Sequence, residues 1–108
     1  MSAIRISALS TEPVRYAVSA VIGGASYDPT TDAVQYAFIP FGRSPTGPDW
    51  LTGTWTTVTG PPVQYVAECL IGPVNGGIVL APGMYVIWLK VTDSPSVPVR
   101  DVGTLQIF

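Results

Sequence analysis

Cys69 is the one thiol in this 108-residue chain, and histidine is absent. These two facts bound the available chemistry before any fold is considered. Without an imidazole, neither a Ser-His-Asp nor a Cys-His arrangement can be assembled. A zinc site of His and Cys needs more than one such ligand, and an intrachain disulfide needs a second cysteine. Cys69 lies in an alternating segment where Tyr65, Ala67, Cys69 and Ile71 share a face. No basic neighbour in sequence would lower its pKa, so it reads as a small buried apolar residue.

The carboxylates offer little more. Asp28 and Asp32 flank the turn Asp28-Pro29-Thr30-Thr31-Asp32, where Pro29 presets φ and Asp28 can bond forward to the backbone. Two carboxylates fall short of the roughly six to eight oxygens that calcium takes. The pair therefore reads as a capped turn, and no metal is expected. Glu68 is expected to face solvent from a strand, and Asp93 to bond its own loop. Nothing supports a glycosidase-type carboxylate pair. Gly23-Gly24 and Gly76-Gly77 lack the Lys-Ser/Thr and the helix of a phosphate loop. No cofactor is expected, and the chain reads as a non-enzyme.

Composition points the same way. Only 11% of residues are charged, with Lys plus Arg 5 and Asp plus Glu 7, although apolar residues make up 47%. A typical domain carries about 25% charge. A chain this short has a large surface for its volume. Either neutral Thr, Ser, Gly and Pro keep it soluble, or other copies or a partner cover much of that surface. The net charge of −2 and the scatter of Arg5, Arg15, Arg43, Lys90 and Arg100 argue against nucleic acid. The longest apolar stretch, residues 78–89, is broken by Pro82 and Gly83 and is too short to span a membrane. No basic segment followed by an apolar run marks a signal peptide, so a reducing cytoplasm is the expected folding compartment.

The elements that would position these residues are strands. Eleven Gly and eleven Pro punctuate the chain without clustering, which suits an all-β domain with many turns. Residues 3–9 alternate, with Ile4, Ile6 and Ala8 on one face. Further strands are expected over residues 14–22, 34–41, 50–58, 63–71, 78–80, 84–92 and 102–108. Pro40 lacks a donor and marks an edge or a strand end. This makes about eight short strands at roughly ten- to twelve-residue spacing, the pattern of a β-sandwich or barrel. The domain is expected over residues 13–108, with residues 1–12 as a first strand or an arm that adds a strand to a neighbour's sheet.

Leu80-Ala81-Pro82-Gly83-Met84-Tyr85 runs into the strongest strand. A Leu, a Gly turn and a Tyr entering a strand are what the tyrosine corner of an immunoglobulin-like sandwich needs, with Leu80, Gly83 and Tyr85 as its parts. Tyr85, Ile87, Leu89 and Val91 would then face the core, and Val86, Trp88 and Lys90 would face outward. An outward Trp88 is either covered by the terminal strand or meets another subunit, since aromatics are enriched at interface centres. Trp88, Lys90, Trp50, Arg5 and Ile6 are the candidate interface residues. Trp50 could form a lid over one end of the sandwich, and Trp55 reads as core.

From Tyr27 onward the chain resembles small immunoglobulin-like proteins encoded among the structural genes of tailed bacteriophages, chiefly those of actinobacteria. The resemblance runs through Tyr27-Asp28-Pro29-Thr30, Val34-Gln35-Tyr36-Ala37-Phe38, the spaced Trp50 and Trp55, and Leu70-Ile71-Gly72-Pro73. It continues through residues 83–93, residues 95–100 and Gly103-Thr104-Leu105. It covers about three quarters of the chain as a pattern, without a catalytic signature and without assigning functional residues. It implies a virion structural protein, expected as a decoration protein on the outside of the head. Its partners would be the major capsid protein or other virion proteins, in a homo-oligomer or multi-copy assembly. A head–tail connector or tail component is the alternative within this class. A carbohydrate- or receptor-binding module using exposed Trp50 and Trp55 is the alternative outside it.

Overall fold

The computed structural model describes residues 3–18, 20–22, 25–27, 30, 32–59, 64–92, 97 and 99–108. The described residues form an all-β structure of ten strands and one short 3-10 turn. The strands are β1 (Ala3–Ile6), β2 (Glu12–Val18), β3 (Ala20–Ile22), β4 (Ala25–Tyr27) and β5 (Ala33–Pro40). They continue with β6 (Leu51–Thr52), β7 (Thr54–Val58), β8 (Gln64–Ile71), β9 (Gly83–Thr92) and β10 (Val99–Ile107). A five-stranded sheet has the order β1-β10-β9-β5-β6, and a three-stranded sheet the order β2-β8-β7. Strands β3 and β4 pair as a separate hairpin. Within the two larger sheets all pairings are antiparallel except β1 with β10, which is parallel.

The core lies between the two larger sheets. Val34, Tyr36 and Phe38 of β5, Ile87, Leu89 and Val91 of β9, and Leu105 and Ile107 of β10 line one side. Val14 of β2 and Ala67, Cys69 and Ile71 of β8 line the other. The two-residue repeat along each strand is the pleat expressed as burial. The Tyr36 hydroxyl spans the layers and donates to the Ala67 carbonyl at 2.7 Å, entirely within the buried region. A hydroxyl withdrawn from water in this way needs a partner. Tyr36 also stacks on Phe38 with ring centroids 5.9 Å apart.

Several expected boundaries shift. The run at residues 14–22 is divided: β2 begins at Glu12 and pairs with β8, whereas residues 20–22 belong to the hairpin. The run at residues 50–58 is divided at Gly53, with β6 in the large sheet and β7 in the small one. Gly53 donates its N–H to the Val34 carbonyl at 2.9 Å and sits against the Tyr36 ring, where a Cβ would stand 3.2 Å from a ring carbon. The chain can change sheets there because nothing projects from it. Residues 78–80 make a single bridge, Ile78 with Ile71, instead of a strand. The last strand starts earlier than expected, at Val99, and bulges between Asp101 and Gly103. Pro40 ends β5, which lies inside the sheet. The turn at residues 28–32 and the loop at residues 93–98 lie largely outside the described residues.

Candidate interaction surface

The groups singled out for chemistry are dispersed. Cys69 is buried, and its burial raises the thiol pKa to about 11. Glu68 is ion-paired with Arg15 at 3.0 Å on the outer face of the small sheet. Asp32 contributes its carbonyl to the Trp55 indole N–H at 2.9 Å, and this bond fixes the half-buried Trp55 against the core. Asp28 and Asp93 lie outside the described residues. Among the described residues no three His, Cys, Asp or Glu side chains come together as metal ligands would. A hollow beside Ser7, Ile71, Gly72, Leu80 and Ile107 holds about 10 Å³. That is room for one water, against the roughly 300 Å³ at which ligand pockets begin.

The outer face of the large sheet is built differently from the usual solvent face. Cross-strand pairing puts Ala37 beside Trp88 and Ile39 beside Val86, all pointing away from the main core. Ala37 and Ile39 are nevertheless fully buried. The segment between β5 and β6 accounts for this. Arg43 grips Asp49 through two bonds of 2.8 and 3.3 Å, and Asp49 Oδ2 also accepts from the Thr46 backbone N–H at 2.8 Å. The Arg43 guanidinium, followed by the Thr46 donors, holds the Asp49 carboxyl well below the usual carboxylate range. The 3-10 turn at Gly47–Asp49 packs near β5 and delivers Trp50 to this face. There the Trp50 ring lies 4.4 Å from the Lys90 ammonium, a cation–π contact. Trp50 is thus a cover on the sheet face and not a lid on an end. Trp88 is half-buried, with its ring nitrogen shielded and without a hydrogen-bond partner among the described residues.

Arg5 and Ile6 lie in β1, paired with β10 of the same chain. Ile6 is buried in the core. Arg5 reaches Gln106 at 3.2 Å and stacks over the Phe108 ring at 4.7 Å. Ala3–Ile6 therefore takes the form of a strand in its own sheet, not of a free arm. Tyr85 donates its hydroxyl to the Ala81 carbonyl at 2.6 Å, four residues upstream. Its ring and Leu80 pack on the core, and Gly83 turns the chain with φ of 153°.

One end of the molecule carries an apolar surface that the sequence reading did not anticipate. The ends of β1, β5, β8 and β10 and the start of β9 meet there, because Ile6 and Gly83 both pair with Ile107 and Pro40 with Tyr85. Among the described residues eight large apolar side chains are exposed, and six of them are at this end: Leu9, Phe41, Val74, Val79, Met84 and Phe108. Leu9, in the turn after β1, is 91% exposed, and Val79 73%. The other two, Val58 and Val97, are at the opposite end. The charged groups near this end are Arg5, over the Phe108 ring, Glu12, paired with Ile71, and Arg43, ion-paired with Asp49. The available signal was a run of neutral sequence: residues 69–89, 6–11 and 102–108 carry no charge.

Gly72 shapes this end. Its φ is 143°, and a Cβ there would overlap the Ser10 and Thr11 backbone. It donates to the Ile78 carbonyl at 2.9 Å, and Ile78 donates to the Leu70 carbonyl at 2.8 Å. Without a side chain at Gly72, the turn after β1 and the long loop after β8 can close together, with Leu9 on the one and Val79 on the other. In comparison with known protein families, characterised proteins and solved structures, the chain matches none.

Proposed function

We propose that this chain is a non-enzymatic virion structural protein of a tailed bacteriophage. In this reading it is an immunoglobulin-like module that decorates the outside of the head and adheres through its apolar end. The observation that carries the adhesive role is the gathering of six exposed large apolar side chains at one end, on segments of neutral sequence. An apolar centre with a polar rim is the anatomy of a protein interface, and contiguous apolar surface on a small domain marks interaction sites. The immunoglobulin-like assignment is supported by two sheets ordered β1-β10-β9-β5-β6 and β2-β8-β7 and by the Tyr85–Ala81 bond. The phage setting rests on the resemblance from Tyr27 onward.

Decoration would work by mass action. A module that binds the assembled shell and not its separated subunits stabilises the shell by linkage. A sugar-binding role has less support, because Lys90 covers one Trp50 face and Trp55 is bonded to Asp32.

Copy number and location on purified particles test the proposal. A copy number in proportion to the capsid subunits, spread over the head, is expected. Confinement to one vertex would replace decoration by a connector role. Binding of the purified chain to heads that lack it should be lost in Leu9→Asp and Val79→Asp, with thermal stability unchanged. Undiminished binding would remove the apolar end as the contact.

A further inference from the structure

The edges of the two larger sheets are not equally protected. Native sheets blunt exposed edges with short strands, charges, prolines or bulges. On the large sheet, β6 is two residues long, and β1 is four residues long and carries Arg5. On the small sheet, β2 carries Glu12, Pro13 and Arg15. The fourth edge, β7, has none of these devices. Thr54-Trp55-Thr56-Thr57-Val58 contains no charge, no proline and no bulge, and it pairs in unbroken register with β8 alone. Thr54, Thr56, Thr57 and Val58 are exposed, and among the described residues no strand other than β8 pairs with β7. The strand is left there because Gly53 hands the chain from one sheet to the other.

We propose that β7 is a self-association edge, where two copies of this chain pair antiparallel about a twofold axis through Thr56. A twofold contact must be complementary to itself. Centred on Thr56, Thr54 of one copy faces Val58 of the other, Trp55 faces Thr57, and Thr56 faces its own counterpart. Each is a favourable cross-strand combination of β-branched or aromatic residues, and no like charges meet. The carboxylate on the paired strand, Glu68 opposite Thr54 on β8, is ion-paired with Arg15. Residues 50–59 supply no charge against which an acidic or basic partner strand could be selected, except for what flanks them. A second copy meets the edge without any such mismatch. The product is a continuous six-stranded sheet ordered β2-β8-β7-β7-β8-β2. This contact leaves the apolar end free, so it stands or falls independently of the docking proposed above.

Analytical ultracentrifugation over the micromolar range should show a concentration-dependent dimer. Thr56→Lys, which sets two ammonium groups against each other on the axis, should weaken it by about 100-fold or more. Its circular dichroism and melting temperature should be unchanged. Oxidative cross-linking tests the register. Thr56→Cys should give a disulfide-linked dimer, because directly opposed residues lie about 4.5–5.5 Å apart. Val58→Cys should not, because the two copies of that residue would stand about 13 Å apart, four steps of ~3.3 Å. Buried Cys69 does not compete. A monomer at every concentration, a dimer unaffected by Thr56→Lys, or equal cross-linking through both positions would each overturn the proposal.

Discussion

The two larger sheets share one core but are finished differently on their outer faces. In the five-stranded sheet, β5 is buried on both sides: Val34, Tyr36 and Phe38 face the main core, and Ala37 and Ile39 lie under the cover that includes Trp50 and Trp88. In the three-stranded sheet, β8 alternates between buried Ala67, Cys69 and Ile71 and partly exposed Val66, Glu68 and Leu70. A sheet covered on both faces loses the simple inside–outside alternation. A sheet with one covered face keeps it. The contrast suggests a division of labour in which the large sheet is the rigid scaffold and the small one keeps an outer face and an edge available for contact.

The largest predicted effect breaks this comparison if it fails. Ile39→Ala should destabilise the fold by about 2–5 kcal/mol, the range for a buried aliphatic side chain, although Ile39 points away from the main core. Val66→Ala, on the outer face of the small sheet, should stay within about 1 kcal/mol. Urea unfolding measures both, and equal losses would mean that the two outer faces do not differ. Next comes Gly72→Ala, where a strained φ and a backbone overlap should together cost about 1–3 kcal/mol and disturb the apolar end first. Hydrogen exchange of residues 72–80 would register that disturbance.

The bond between the sheets gives a finer test. Tyr36→Phe removes the donor to Ala67 and should cost about 1–2 kcal/mol. Tyr16, on the small sheet, has a shielded hydroxyl with no partner among the described residues, and burial raises its pKa. Tyr16→Phe should therefore be neutral or slightly stabilising. Thermal melts of the two variants should differ in that order.

The smallest effects are local. The buried Cys69 thiol, raised to about 11, should resist thiol reagents at pH 8 until the protein unfolds. Because its folded pKa is the higher one, its contribution to stability is complete below the ordinary thiol range and is lost as pH rises through about 11. Asp49 has the opposite sign. Its carboxyl is depressed, so its tie to Arg43 holds above the ordinary carboxylate range and is lost only as pH falls through the lowered value. Asp49→Asn should loosen residues 43–50, seen as faster amide exchange there, with the melting temperature almost unchanged.

Much of the fold was legible in the chain. The alternation Ile87, Leu89, Val91 predicts the inward face of β9, and the same residues are buried. The expected neutrality of the surface is present, but composition could not say where it would concentrate. The same alternation places Trp88, between Ile87 and Leu89, on the outward face. The sequence could not show that Trp50, brought by the Arg43–Asp49 turn, would share that face. Leu9, Phe41, Val79 and Phe108 fall in four separate expected strands, and the distance between them along the chain hides their common end.

By itself, the sequence determined an all-β chain, the approximate strand positions, and the inward face of β9. These follow from the two-residue pleat and from Gly and Pro punctuation, both of which act over a few residues. Only the tertiary structure decided that Gly53 splits one threonine-rich run between two sheets, that Ala37 and Ile39 are buried on a second face, and that β7 is left as an open edge. Those outcomes depend on which strand pairs with which and on what folds over the pair. Such contacts join residues distant in sequence, so no local pattern encodes them.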